Sequence, residues 1–367
     1  MNIKIARADI LPALNLVSGV VEKRQTLPIL ANLYFNLVDG KLTLVGTDLE
    51  IEISETIAEV IGDNGAFTVS SRKILDITRM LPENAIISLK HESDKVIISS
   101  GRSRYTLKTL ATDGFPRIED NTWEERFKIN QLSLKTLLSK TSFSMAVQDV
   151  RYYLNGILLE LTQNCLRAIA TDGHRLAQAD VDISLDIKEG RQLIVPRKAI
   201  VEINRFLEGA DDQEIVVEIS KNHLKLTKGG TILITKLIDG KFPEFKDVLE
   251  TKLNITVIIN RVEFIEATKR AAVLVTDRFQ GVKLALEPGV MRITANNPEQ
   301  EEAVEELEID YTSEKIESGY NASYLVDAAR AVSTENIEFH LQSANGLCIV
   351  KQPEDSRSIW LVMPMRI

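Results

Sequence analysis

The chain has 367 residues, of which 44% are hydrophobic and 26% charged, and its formal net charge is −9. This length suggests two or three domains of about 100–200 residues each. The composition is typical of a globular, soluble protein, and we expect neither a signal peptide nor a membrane span. The acidic balance argues against a nucleic-acid partner, but a net charge is a sum and can hide a basic surface.

The two cysteines, Cys165 and Cys348, each lie in an apolar, strand-like run. This placement predicts buried thiols in a reducing compartment, so we expect a cytoplasmic protein. Neither a disulfide framework nor a zinc site is expected, because no paired cysteine spacing is present.

In chain order, the same pattern of predicted elements occurs three times. The first hairpin alternates apolar and polar residues around a turn at Asp39-Gly40, the second turns at Gln163-Asn164, and the third turns at Pro288-Gly289. A helix-like segment precedes each hairpin, and a second helix and further strands follow it. Three units of about 125 residues therefore fill the chain, at residues 1–125, 126–250 and 251–367. The fold class predicted is α+β.

The second helix of each unit has an apolar stripe with basic residues opposite it. An arginine recurs on the outward face as Arg79, Arg205 and Arg330, and Arg72 and Lys198 share that face in the first two units. A single arginine of this kind usually indicates a solvated helix face. Three equivalent ones predict a shared surface for a polyanion. The stripes are Ile74, Ile77 and Leu81; Ile200, Ile203 and Leu207; and Leu325, Ala328 and Val332.

The segment of residues 171–176, Thr-Asp-Gly-His-Arg-Leu, could be read as part of a hydrolase site around Asp172 and His174. Thr171-Asp172 repeats Thr47-Asp48, however, and Asn296 occupies the corresponding place in the third unit. This repetition favours a turn at the end of a strand. No phosphate-binding glycine loop or metal-ligand spacing accompanies the segment. The Gly-His-Arg-Leu that follows occurs only in the middle unit, so we expect a function specific to that unit.

Several segments together resemble the bacterial DNA polymerase III beta subunit family, the sliding clamps, over the whole chain. They are Arg24 with residues 26–30, and residues 46–50, 143–146, 148–156, 170–177, 195–198, 295–302 and 362–366. The resemblance implies three DNA-clamp domains per chain and a head-to-tail homodimer. The dimer would be a six-domain ring with helices inside and sheets outside. It also implies a non-enzymatic protein without metal or cofactor.

The resemblance implies that double-stranded DNA passes through the ring and is contacted without regard to base sequence. The residues assigned to DNA are Arg24, Arg72, Arg79, Gln148, Tyr153, Arg197, Lys198, Arg205 and Arg330. It places the dimer contact between a basic, alternating strand in the first unit and an acidic segment in the third. The residues assigned to that contact are Arg102, Arg104, Tyr105, Leu107, Val273, Leu274, Glu299, Glu301 and Glu302.

The resemblance further implies a pocket for short extended peptides with Gln, Leu and Phe anchors. These peptides would come from the replicative polymerase, the clamp loader, translesion polymerases and repair proteins. The C-terminal methionines around a proline fit such a pocket, because methionine adapts to varied ligands. The pocket residues are Leu154, Thr171, Gly173, His174, Arg175, Leu176, Pro243, Val248, Asn321, Tyr324, Leu361, Met363, Pro364, Met365 and Arg366. A hydrolase and a repeat scaffold without DNA are the alternative functions.

Overall fold

The computed structural model describes residues 1–22, 27–118, 122–185, 187, 189–209, 212–251, 253–275, 281–342, 344 and 346–366, with residue 356 described by its backbone alone. Arg24, which the sequence assigns to DNA, lies outside these residues. The α-helices described are α1 (Arg7–Val17), α2 (Ser71–Met80), α3 (Gln131–Ser139), α4 (Arg197–Phe206), α5 (Lys246–Leu249), α6 (Arg261–Ala271) and α7 (Ala322–Ala331).

The strands lie in the order that the repeat predicts, with helices α1, α3 and α6 before the three hairpins. They are β1 (Asn2–Ala6), β2 (Asn32–Val38), β3 (Lys41–Thr47), β4 (Ile51–Ile57), β5 (Ile61–Gly62), β6 (Gly65–Ser70), β7 (Ile86–Glu92), β8 (Lys95–Ser100), β9 (Ser103–Lys108), β10 (Glu125–Asn130), β11 (Gly156–Leu161), β12 (Cys165–Thr171), β13 (Arg175–Asp182), β14 (Arg191–Pro196), β15 (Glu214–Ile219), β16 (His223–Lys228), β17 (Thr231–Lys236), β18 (Ile255–Asn260), β19 (Gly281–Glu287), β20 (Val290–Asn296), β21 (Glu302–Glu308), β22 (Ile316–Asn321), β23 (Asn336–Leu341), β24 (Cys348–Gln352) and β25 (Asp355–Val362).

These strands form four antiparallel sheets in the described part of the chain. Two sheets have eight strands, in the orders β10-β15-β16-β17-β4-β3-β2-β6 and β14-β11-β12-β13-β25-β24-β23-β18. The other two are shorter, with the orders β5-β1-β7-β8-β9 and β21-β20-β19-β22. In each eight-stranded sheet, strands distant in sequence meet at one central pair, β17 with β4 and β25 with β13.

The chain packs into two compact units. Unit 1 consists of Met1–Leu132 and Lys198–Leu237, and unit 2 of Ser133–Arg197 and Ile238–Ile367. Each unit holds one eight-stranded sheet and one shorter sheet. The middle repeat therefore supplies strands to both units, whereas the sequence predicts three successive repeats.

The second helices bury the faces that the sequence predicts, with one difference. Ile200, Ile203 and Leu207 are buried, as are Leu325, Ala328 and Val332. In α2, Ile74 and Leu81 are buried but Ile77 is only half-buried, and Thr78 takes a fully buried place beside Ile74. Thr78 satisfies its hydroxyl by donating to the Ile74 carbonyl oxygen at 2.8 Å, which makes a buried polar residue tolerable there.

The turns that join the hairpins also follow the sequence. Asp39 and Gly40 both have positive φ, 49° and 74°, which suits a two-residue turn between twisted strands. The N-terminus of α6 is capped by Asn260, whose side-chain oxygen accepts from the amides of Val262 and Glu263. These local signals position the ends of the strands, where the predicted site residues lie.

Candidate partner-binding slot and basic helix faces

A turn between β12 and β13 organises the predicted peptide site in unit 2. Thr171 Oγ1 donates to the Arg175 carbonyl oxygen at 2.6 Å and accepts from the Gly173 amide at 3.1 Å. Asp172 Oδ1 accepts from the amides of His174 and Arg175 at 2.9 and 3.0 Å. These bonds fix the turn, so Thr171 and Asp172 act as backbone caps. The turn therefore needs no catalytic explanation.

Arg175 is held rigidly beside this turn. Its guanidinium donates to Asp172 Oδ2 at 3.1 Å and to Asp327 Oδ2 at 2.7 Å, and it lies 4.2 Å from the Tyr324 ring centroid. The arginine side chain is only 13% exposed, so both carboxylates compensate a largely buried charge. Burial raises the pKa of Tyr324, and the charge of Asp172 adds to this shift. Arg175 thus serves as a fixed wall of the site.

The C-terminal segment runs along the same turn. The Met363 amide donates to the His174 carbonyl oxygen at 2.9 Å, and the Met365 amide donates to the Gly319 carbonyl oxygen at the same distance. His174 and Met363 are exposed, whereas Met365 is half-buried. We call the surface formed by His174, Arg175, Tyr324, Met363 and Met365 the unit 2 slot.

An apolar cluster lies under the unit 2 slot. Leu154, Leu176 and Leu361 are at most 7% exposed and belong to one cluster with Phe242 and Phe245. The remaining predicted pocket residues also belong to unit 2: Pro243 between the two phenylalanines in sequence, Val248 exposed on α5, Asn321 at the N-cap of α7, and Pro364 and Arg366 in the C-terminal segment. The structure brings His174, Arg175 and Tyr324 together at the turn, and the assignment of the whole set to a peptide pocket stays a prediction.

Three residues of this site were missed by sequence reasoning. Asp327 pairs with Arg175, and the ring centroid of Phe143 lies 5.6 Å from the Arg175 guanidinium. Arg151 donates to the Asp172 carbonyl oxygen at 3.3 Å, and its bonds to Asp149 lower the pKa of that carboxyl group to about 2. Asp327 lies three residues after Tyr324 on one helix, a spacing that could have indicated it.

The basic residues assigned to DNA differ in how well their charges are compensated. In unit 1, Arg72 lies 3.6 Å from Asp76, but both side chains are more than half exposed. Arg79 bonds to the neutral amide of Asn15. These exposed contacts leave both guanidinium groups available to a polyanion, since exposed ion pairs contribute little.

Two other basic residues of unit 1 are engaged with carboxylates. Lys198 contacts both Glu22 and Asp48, and Arg205 donates to Glu202 at 2.8 Å. Burial raises the pKa of Glu202, and Arg205 opposes this shift. Lys198, at 33% exposure, therefore has less free charge than the sequence suggests.

In unit 2, Arg197 donates to the Met145 carbonyl oxygen at 3.1 Å, while Arg330 is exposed at the end of α7. Gln148 is exposed with a positive φ of 53°, and Tyr153 is half-buried against the Tyr152 ring. The assignment of these four residues to DNA stays a prediction.

The residues assigned to the dimer contact are exposed or half-buried, and those of the first unit lie on or beside an edge strand. Arg102, Arg104 and Tyr105 are exposed on or beside the edge strand β9, where Leu107 is half-buried. In unit 2, Val273 is 77% exposed and Leu274 is half-buried. Glu299, Glu301 and Glu302 are exposed before or at the start of the edge strand β21.

No cluster of three or more His, Cys, Asp or Glu residues suited to a metal ion occurs among the described residues. None of the described helices has both the length and the apolarity that a membrane crossing requires. Both cysteines are free thiols; Cys348 is buried and Cys165 half-buried, less deeply than the sequence predicts. The Asp172 carboxylate beside His174 is engaged by the turn amides and by Arg175, which gives it a structural role.

The three repeated units of helix and antiparallel sheet indicate a class of protein, a DNA clamp, and comparison with known proteins makes this specific. The chain matches the DNA polymerase III beta subunit family in all three of its parts: the N-terminal domain over residues 1–119, the central domain over 128–244 and the C-terminal domain over 246–366. The beta sliding clamps of Pseudomonas aeruginosa and Escherichia coli K12 are 41% and 40% identical to it, with each chain covered completely.

Solved structures agree with this assignment. The crystal structure of the DNA polymerase III subunit beta from P. aeruginosa superposes with a TM-score of 0.96 at 40% identity, and a DNA polymerase sliding clamp from Caulobacter crescentus with 0.93 at 33%, each over the whole of both chains. The chain therefore belongs to the DNA polymerase III beta subunit family. It is a sliding clamp, a processivity factor of DNA replication and not an enzyme.

Proposed function

We propose that two copies of this chain assemble head to tail into a closed ring around duplex DNA and tether polymerases through the unit 2 slot. The observation that carries this proposal concerns the sheets. Each eight-stranded sheet joins four strands of one repeat to four strands of another, whereas the two shorter sheets contain strands of one repeat alone. Strands β4 and β13 are equivalent in the repeat, as are β17 and β25. By the same count, β21 is the counterpart of β4 and β13, and β9 is the counterpart of β17 and β25; both are edge strands of the two shorter sheets.

The repeat also gives the register of this contact. Tyr105, Leu233 and Trp360 each pair with the residue that lies three positions before the first residue of a two-residue turn. Leu233 faces Ile53, and Trp360 faces Ala177. Gly46, Ala170 and Thr294 follow one another at intervals of 124 residues. Their hairpin partners are Ile53, Ala177 and Val304, respectively. Val304 is therefore the counterpart of Ile53 and Ala177. Tyr105 of one protomer is therefore proposed to face Val304 of the other.

This register brings opposite charges together. With Tyr105 opposite Val304, antiparallel pairing places Arg104 opposite Glu305, which also contacts Arg270, and β21 carries three further acids, Glu302, Glu306 and Glu308. Tyr105 is 37% exposed and Val304 is 46% exposed, so the pairing would remove apolar surface from water. Pairing would also cover two exposed strand edges that otherwise invite aggregation. A head-to-tail contact of this kind closes after two protomers.

The DNA contact rests on the exposed basic residues. Arg72 and Arg79 contribute the least compensated charge in unit 1, and Arg330 does so in unit 2. Contacts from such residues to phosphates carry no base information, so a ring lined by them can slide. Lys198 and Arg205 contribute less, because carboxylates already hold them.

The partners proposed for the unit 2 slot are short peptide segments of the replicative polymerase, the clamp loader, translesion polymerases and repair proteins. The apolar floor and the rigid Arg175 support this, because peptide anchors bind best in pockets that are already ordered. The exposed His174 and Met363 at the rim suit adaptable contacts to different peptides.

The experiment that tests the ring combines oligomeric state with retention on DNA. Leu274→Asp introduces a charge into the proposed apolar contact, and we expect monomers in sedimentation and loss of retention on loaded circular DNA. Val273→Asp provides a second variant: Val273 is 77% exposed, so its replacement cannot act by opening the core. Ile61→Asp, at an equally exposed residue on β5, is the matched control and should remain a retained dimer.

On linear DNA the wild-type ring should slide off, whereas a protein that merely adheres to DNA would stay. Dimers of Leu274→Asp and Val273→Asp that persist at low concentration would contradict the proposed interface. Equal retention of the wild type on circular and linear DNA would contradict the ring.

A further inference from the structure

A second cavity lies in unit 1, beside the turn that repeats the one in the unit 2 slot. It has a volume of about 310 Å³, and its walls include Leu49, Pro116, Ile118, His223 and Lys236. This volume is at the small end of the range for ligand pockets, about 300–1,000 Å³. We call it the unit 1 cavity.

The frame of the unit 1 cavity matches that of the unit 2 slot bond for bond. Thr47 Oγ1 donates to the Ile51 carbonyl oxygen at 2.9 Å and accepts from the Leu49 amide at 3.2 Å. Asp48 Oδ1 accepts from the amides of Glu50 and Ile51. The Lys236 amide donates to the Glu50 carbonyl oxygen at 2.8 Å, just as the Met363 amide donates to the His174 carbonyl oxygen.

The backbone conformation of Leu49 is unfavourable for a residue that has a side chain. Its φ is +79°, in the left-handed region that side chains rarely adopt, and the equivalent Gly173 has a φ of +89°. Such a backbone is unfavourable for a residue with a side chain, because the Cβ crowds the following carbonyl oxygen. Leu49 is nevertheless 39% exposed, so packing does not fully account for a leucine there. The strain points to a use for the side chain at the cavity wall.

The imidazole ring of His223 also contributes to the unit 1 cavity. Neither ring nitrogen has a hydrogen-bond partner among the described residues, although both atoms are buried. Buried polar atoms of this kind are uncommon in folded proteins and ask for an explanation. Burial lowers the pKa of His223, and the charge of Lys236 adds to this shift. The neutral ring offers one donor and one acceptor to a ligand.

The charges around the unit 1 cavity favour an acidic ligand. The carboxylate of Glu52 is 3% exposed and is taken up by Arg117, at 2.9 Å, and by the Ile118 amide, at 3.0 Å. Lys236 is exposed at the end of β17 and has no ion pair within the described residues. The uncompensated charge that faces a ligand is therefore positive.

We propose that the unit 1 cavity is a second ligand site, which takes a short peptide segment with a carboxylate beside an apolar side chain. The apolar side chain packs against Leu49, Pro116 and Ile118, and the carboxylate lies toward His223 and Lys236. The site requires neither the ring nor peptide binding by the unit 2 slot.

Histidine-selective labelling tests this proposal in the full-length protein, because the chain has four histidines. The ring signal of His223 reports the unit 1 cavity, that of His174 reports the unit 2 slot, and that of His91, stacked on Phe67 in unit 1, reports folding. The probe is the peptide acetyl-Leu-Glu-Leu-amide, and acetyl-Leu-Gln-Leu-amide is its uncharged control. We expect a saturable shift of the His223 signal with the acidic probe and a weaker response to the control.

Two substitutions and one control variant sharpen the result. Lys236→Glu should weaken binding of the acidic probe by about fivefold, as expected for reversal of a partly exposed charge. Lys221→Glu, an exposed change of the same charge outside the cavity walls, should leave it unchanged. Leu49→Gly should weaken it by about tenfold through loss of apolar contact, with the His91 signal unaltered. A His223 signal that does not move, or moves equally in both lysine variants, would overturn the proposal.

Discussion

The turns at residues 47–51 and 171–175 share one backbone and differ in what their side chains do. In both, a threonine hydroxyl and an aspartate oxygen make the same four bonds to the backbone. The second oxygen of each aspartate holds a cation, Lys198 for Asp48 and Arg175 for Asp172. The repeat therefore preserves the hydrogen bonds of the turn, while the cation bound to the aspartate differs between the two units.

The cations show how the two sites diverge. Arg175 lies on the Tyr324 ring and joins Asp327, so it forms a stiff, planar wall. Lys198 is a point charge at 33% exposure that contacts Glu22 as well as Asp48. A planar guanidinium can line a slot for a peptide, whereas the lysine mainly neutralises acids. The equivalent aspartates thus hold a recognition surface in one unit and a charge-balancing lysine in the other.

The largest expected effect comes from removing the C-terminal segment that runs along the unit 2 turn. Deletion of residues 363–367 should reduce binding of a fluorescent peptide with Gln, Leu and Phe anchors below detection in an anisotropy titration. The strand β25 ends at Val362, so the deletion removes the amides of Met363 and Met365 and their two bonds without shortening the sheet. The dimer should persist in sedimentation.

Lys236→Ala is the matched change at the equivalent place in unit 1, and peptide affinity at the unit 2 slot should be unaltered by it. Undiminished affinity after the deletion would mean that the turn alone binds the peptide. The contrast between the two units would then not depend on the C-terminal segment.

Much of this comparison could be predicted from the sequence, because its causes are local. The repeated Thr-Asp, the turn at Asp39-Gly40 and the apolar helix stripes depend on spacing and backbone preferences. The departure at Ile77 is equally local: Thr78 can bury its hydroxyl by bonding the preceding turn of its own helix. A hydrophobicity pattern does not predict that a threonine will be buried in this way.

The features that could not be predicted depend on contacts between residues that are distant in the sequence. Lys198 reads as a solvated basic residue until the fold brings it to Asp48, 150 residues away. Arg175 and Asp327 are separated by 152 residues, and no spacing rule connects them. The placement of His223 beside Lys236 and Pro116 also requires the fold. Such contacts decide charge compensation, which is why the assignments of DNA-binding residues needed the structure most.

A smaller effect is expected from Gly173→Ala, which asks why unit 2 has glycine where unit 1 has leucine. A Cβ there would lie 3.1 Å from the Arg151 guanidinium and would adopt a φ of +89°. We expect a loss of about 1–2 kcal/mol from the backbone conformation, with a further cost for moving Arg151. Calorimetry should show a lower melting temperature, and peptide affinity should fall.

Gly229→Ala is the control, because that glycine also has a positive φ, +56°, but its Cβ would meet nothing within 4 Å. The excess loss in Gly173→Ala over this control measures the contact with Arg151. Equal losses in both variants would show that backbone strain alone separates the two turns.

The smallest effect concerns pH and compares His223 with His174. Burial lowers the pKa of His223 in the folded chain below its ordinary value of 6.5, so the unfolded chain binds more protons below that pH. Stability should therefore fall as the pH drops from about 6.5. His223→Gln should reduce this dependence of the melting temperature between about pH 5 and 7.

His174→Gln, at the exposed histidine of the unit 2 turn, is the matched variant for this measurement. His91, whose pKa burial also lowers, remains in both variants, so part of the pH dependence should survive in each. A flatter profile only for His223→Gln would show that the unit 1 cavity keeps its histidine neutral, ready to donate a hydrogen bond to a carboxylate. Identical profiles for the two variants would remove the electrostatic distinction between the sites, leaving Leu49 and Gly173 as the residues that distinguish them.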